Sequence, residues 1–101
     1  MKNHSEAEKR AVENARKDLC RAFLAMKSVD ECRNLLTDLC TPAELEAMID
    51  RWRVVTLLEG ELPYREINEL TGVSVTTIGR VARALAYGSG GYQMAYRRSV
   101  S

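Results

Sequence analysis

The chain has 101 residues, 46% of them apolar and 29% charged, with a net charge of +1, the ordinary composition of one small soluble domain. Its longest apolar runs, Phe23 to Met26 and Val54 to Leu58, are too short to span a bilayer, so no membrane partner is expected. The opening stretch MKNHSEAEKRAVENARKD lacks the apolar core of a secretory signal, which makes the cytoplasm the default location.

In chain order, Ser5 and Glu8 form a capping box in front of a long helical pattern. Val12, Ala15, Leu19, Phe23 and Met26 recur there at three- and four-residue steps, as one apolar stripe. Ser28 and Glu31 form a second capping box, opening a short helix that contains Cys32, Leu35, Leu36 and Leu39. Thr41-Pro42 with Glu44 makes a third, with proline at the first helical position, where its missing N–H costs nothing. The helix that follows is expected to bury Leu45, Met48, Ile49, Trp52, Val55 and Leu58, with Gly60 as its cap.

Pro63 opens another short helix, PYREINEL, closed by Thr71-Gly72. Ser74 caps the last strong helix, Val75 to about Tyr87, which GSGG stops. The remaining residues, 88–101, read as a flexible Gly-rich, Arg-containing tail with at most one helical turn around Gln93 to Arg98. No period-two alternation and no internal repeat interrupts this pattern, so the class is all-α, with one helical domain over 1–87. A monomer of this length buries only a modest core, which makes a dimer that shares apolar surface plausible.

Chemistry is constrained by what the chain holds little of. Cys20, Cys32 and Cys40 are odd in number and form no C-x-x-C pair, and the one histidine, His4, lies in a segment expected to fray. Neither a disulfide framework nor a metal site is expected, and the thiols read as free and buried. No nucleophile–base pair is visible, so an enzyme is not expected.

Charge is divided unevenly along the chain. Residues 1–70 hold eleven Lys/Arg and fourteen Asp/Glu, a balance of −3, whereas residues 71–101 hold Arg80, Arg83, Arg97 and Arg98 and no acid, a balance of +4. Such asymmetry points to an anionic partner for the C-terminal third. Residues 63–86 fit that partner, because two helices joined by a glycine turn form a helix-turn-helix. Ile67, Leu70 and Val73 are placed to pack on Ile78 and either Val81 or Leu85. That leaves Val75, Thr76, Gly79, Arg80 and Arg83 outward. The amino-terminal residues of such a second helix reach base edges in the major groove of double-stranded DNA. Here they are Val75, suited to thymine methyls, and the hydroxyls of Ser74, Thr76 and Thr77. Arg80 and Arg83 lie further along, suited to phosphates or a guanine. Asn68 departs from the general pattern, which has a small residue at this point where the helices approach.

TPAELEAMIDRWRVV, LLEGELPYREINEL and TTIGR, in that order between Thr41 and Leu85, resemble the Trp repressor superfamily. The likeness is nearest to its Trp repressor-related branch, which has no settled effector. The resemblance implies an intertwined all-helical homodimer that presents paired reading heads to successive major grooves. It implies a guanine contact for Arg65, base-facing positions at or beside Val75, Thr76 and Gly79, and phosphate or ligand contacts for Arg51 and Arg53. It also implies an effector pocket involving Thr41, Arg51 and Arg80. There, however, Val81 replaces a glycine, Ala84 a serine, and Trp52 a smaller residue. An isopropyl group where a planar ring needs clearance disfavours tryptophan as a co-repressor, leaving another small molecule or none. The function expected is sequence-specific transcriptional regulation, as a repressor on a palindromic operator. The alternative is a helix-turn-helix protein-interaction module that has lost DNA binding.

Overall fold

A computed structural model describes residues 5–100, which form six helices and no strand. The all-α class follows the periodicity. Along the described residues the chain divides into two compact units, with the boundary between Thr41 and Pro42. His4 lies outside the described residues. Among those described, no helix is long and apolar enough to cross a membrane.

The first unit contains α1 (Glu6–Leu24) and α2 (Val29–Leu39). The serine half of both capping boxes expected here forms. Ser5 Oγ accepts from the Glu8 amide at 3.2 Å, and Ser28 Oγ accepts from the Glu31 amide at 3.1 Å. The Glu31 carboxylate reaches back to the Lys27 N–H at 2.8 Å. Surface pairs three residues apart, such as Arg21–Asp18 at 2.8 Å and Arg33–Asp30 at 3.0 Å, each add only a few tenths of a kcal/mol, roughly. Neither helix holds a buried residue, and Leu24 and Val29 are each 83% exposed. Among the described residues the cysteines form no disulfide, and they are not buried as expected: Cys20 is exposed, and Cys32 and Cys40 are half-buried. A helix pair without its own enclosed core has nowhere to bury them.

The second unit contains α3 (Pro42–Glu59), α4 (Tyr64–Thr71), α5 (Val75–Tyr87) and α6 (Gly91–Ser99). Helix α3 packs against the other three, and α5 also packs against α4 and α6. Val54, Val55, Ile67, Val73, Ile78 and Val81 form the buried core, surrounded by Trp52, Leu57, Leu58, Leu62, Leu85, Tyr92 and Tyr96. Burying each aliphatic side chain contributes roughly 1.5–3 kcal/mol before chain entropy is counted.

Three packing expectations are corrected. On α3 the fully buried pair is Val54 and Val55, while Met48 and Ile49 are 40% and 51% exposed. Both buried residues of α3 lie in its carboxy-terminal half, where Ile67 of α4 and Ile78 and Val81 of α5 complete the core. Leu70 is 62% exposed, because the inward line of α4 runs from Ile67 to half-buried Thr71. The expected tail is instead α6. It rests Tyr92 6.5 Å from Trp52, centroid to centroid, and its Gln93 amide donates to the Leu85 carbonyl at 2.8 Å. Gly88 makes the corner before it, since a Cβ there would collide with the Ala84 carbonyl oxygen. Two tyrosines behind GSGG are too short a pattern to separate from a linker.

The α3–α4 corner closes in a Schellman arrangement. The Leu62 N–H donates to Leu57 O at 3.2 Å and the Glu61 N–H to Leu58 O at 2.9 Å. Its left-handed residue is Glu61, with φ 63°, and not the neighbouring Gly60.

Candidate nucleic-acid interface

The reading unit is assembled around three turn residues, Gly72 to Ser74, between α4 and α5. Gly72 takes the left-handed conformation, φ 75° and ψ 0°, and its N–H closes α4 on Asn68 O at 2.8 Å. Ser74 caps α5: its Oγ accepts from the Thr77 N–H at 3.1 Å, and its hydroxyl donates to Thr77 Oγ1 at 3.1 Å. Ser74 and Thr77 are therefore partly engaged in holding the first turn of α5.

Between Gly72 and Ser74 lies Val73, whose side chain is only 7% exposed and belongs to the core. Its backbone is held on both sides by α4. The Asn68 side-chain amide donates to Val73 O at 2.8 Å, and the Val73 N–H donates to Thr71 Oγ1 at 3.0 Å. The Thr71 hydroxyl passes its own hydrogen to Ile67 O at 2.7 Å. The Asn68 side chain thus has a definite place where sequence reading saw only a departure. An asparagine shortly before a helix-ending glycine was the available signal.

Ile78 and Val81 turn α5 into the core, leaving Val75, Thr76, Arg80, Arg83 and Tyr87 exposed and Gly79 half-buried. Thr76, Arg80, Arg83 and Tyr87 follow steps of four, three and four residues, which puts them on one side of the helix. Arg80 and Arg83 form no ion pair among the described residues. Arg65, at the start of α4, is 90% exposed, with its Nε 3.6 Å from a Glu69 oxygen. So exposed a pair is weak and easily exchanged for another anion or acceptor.

Arg51 and Arg53 stand exposed on α3, two residues apart and therefore on different sides of it. The set expected for an effector is only partly assembled within the second unit. Arg80 and Ala84, with Arg83, Tyr87 and Gly88, line an open cleft of about 370 Å³. Arg51 does not line it, and Val81, at 2% exposure, is a core residue. Thr41 belongs to the first unit. Among the described residues, no group of three or more His, Cys, Asp or Glu side chains could hold a metal ion.

A capped second helix, a left-handed glycine turn and an outward row of hydroxyl and guanidinium groups define a helix-turn-helix protein. The chain belongs to the Trp repressor family, whose family model, described as Trp repressor protein, matches residues 15–100. It is similar to the "Uncharacterized protein YerC" of Bacillus subtilis (strain 168), 38% identical over 80 residues that cover 79% of this chain and 77% of that protein. It is similar also to a "Trp operon repressor homolog" of Vibrio vulnificus, 46% identical over 52 residues; the match covers 50% of this chain and about half, 51%, of that relative. Among solved structures it resembles the crystal structure of a TrpR like protein from Eubacterium eligens. The TM-score there is 0.79 at 36% identity, covering 84% of this chain and 88% of that one.

Proposed function

We propose that the chain is a sequence-specific DNA-binding transcriptional regulator, a repressor that binds a palindromic operator as a homodimer. The observation that carries this reading is the outward side of α5. Thr76, Arg80 and Arg83 stand exposed in a row, in a stretch where no acid follows Glu69. Guanidinium groups without acidic neighbours suit phosphates and guanine, while Val75 and Thr76 at the helix start suit base edges. Arg65 supplies the guanine contact from α4, releasing Glu69 as it binds. The names of the Vibrio relatives support the same class of function.

No tryptophan co-repressor is part of this reading. Val81 is packed into the core, and Ala84 lacks the hydroxyl that the resemblance implies for an effector site. The homodimer is supported by the exposed Leu24, Val29 and Leu39, which leave the first unit without an enclosed core.

The test is a selection from random duplex DNA with the full chain at near-physiological salt and no small molecule. The expected result is a two-fold-symmetric site with half-sites about one helical turn apart. On that site Arg65→Ala should weaken binding by roughly 1–3 kcal/mol and relax the base preference at one position of each half-site. Equal weakening on every duplex would reduce Arg65 to a phosphate contact. Enrichment only when tryptophan or another amino acid is added would restore an effector. No enrichment under any condition would favour a protein-interaction module.

A further inference from the structure

We infer that Asn68 and Thr71 are positioning residues for DNA recognition, setting the attitude of α5 relative to α4 without touching DNA. The inference rests on the DNA-reading function proposed above and adds a determinant of its specificity. Base reading is divided between two helices, with Arg65 on α4 and Val75 and Thr76 at the start of α5. Only residues 72–74 connect them. Discrimination therefore depends on how firmly that connection fixes one helix against the other, because hydrogen bonds to base edges tolerate little misplacement.

Val73 is the fixed point of the connection. Its side chain is buried, its carbonyl accepts from Asn68 Nδ2 at 2.8 Å, and its N–H donates to Thr71 Oγ1 at 3.0 Å. Both of its backbone groups are thus claimed by side chains of α4, one residue before the Ser74 cap of α5. Gly72 alone would leave this link permissive, since glycine accepts many backbone conformations. The two side-chain hydrogen bonds remove that freedom. Phosphate contacts made by long, exposed arginines tolerate a small rotation of α5, whereas short side chains against base edges do not. Loosening the link should accordingly lower specific binding while leaving non-specific binding nearly intact.

The experiment compares the full chain with Thr71→Ser, Thr71→Val, Asn68→Ala and the Asn68→Ala/Thr71→Val double variant. Thr71→Val keeps the shape of the side chain and removes the hydroxyl, and Thr71→Ser keeps the hydroxyl. Each is measured well below its melting midpoint, on the selected duplex and on an unrelated duplex, over a range of salt. The expected result for the double variant is a fall of about tenfold or more in the ratio of specific to non-specific affinity, with the non-specific salt slope unchanged. Thr71→Ser should discriminate as the parent does, and Thr71→Val should fall between. Should the double variant fail to fold, the Thr71→Val and Thr71→Ser pair decides alone, and equal discrimination by those two overturns the inference. A folded double variant that discriminates as well as the parent also overturns it while leaving the DNA-reading function standing. A parent chain that prefers no duplex under any condition fails earlier, and both the function and the inference fall with it.

Discussion

Gly79 sits in the middle of α5, where a Cβ would meet no atom within 4 Å. The fold therefore gives no steric reason for glycine there, and glycine in a helix interior costs roughly 1 kcal/mol relative to alanine. A bare backbone does let a neighbouring surface come close. Gly79→Ala should raise the stability of the free protein by about 1 kcal/mol in denaturant unfolding and weaken binding to the selected duplex. Unchanged affinity would remove Gly79 from the DNA-facing surface. At this scale, the exposure of Val75, Thr76, Arg80 and Arg83 was legible, because helical spacing around Ile78 and Val81 assigns their sides, whereas Arg65 entered only through the family resemblance. The Asn68 hydrogen bond was not, because its acceptor is a backbone carbonyl brought near by the turn.

Helices α1 to α5 were legible from local chemistry. Serine caps, proline at a first turn and glycine after a last one act within four residues of one another, so no tertiary information is needed to read them. Helix α6 depends on more distant partners: Trp52 on α3 and the Leu85 carbonyl at the end of α5. The sequence around it shows a glycine-rich run followed by two tyrosines, too short a pattern to fix a helix. Gly88→Ala tests how firmly α6 is seated. The added methyl forces the corner away from the Ala84 carbonyl, with an expected loss of about 1–3 kcal/mol in stability and reduced amide-exchange protection from Gln93 to Tyr96. Unaltered protection would mean that the corner absorbs the methyl by a local shift.

For the whole molecule, chain length and charge separation carried the most information. The all-α class and the helix-turn-helix of a Trp repressor-family protein could be read from motif order. The division at Thr41 and Pro42 could not, because it depends on which apolar stripes find cover within the chain and which do not. Val12, Leu24, Val29 and Leu39 remain exposed in the first unit. If they serve self-association, sedimentation at micromolar concentration should give twice the 11.4 kDa chain mass. Leu24→Glu/Val29→Glu should then shift the protein toward monomer while retaining much of its helical circular dichroism. A monomeric parent chain would remove the shared-surface argument and require two independent reading units on any palindrome.

The contact between Trp52 and Tyr92 also gives the protein an intrinsic optical probe. The sequence contains one tryptophan, so its indole emission arises from a single position, where α3 meets α6. Release of α6 would expose that ring to water and alter energy transfer from tyrosine. The seating of the last helix can thus be timed by stopped-flow fluorescence on unlabelled protein, during refolding or as DNA is added.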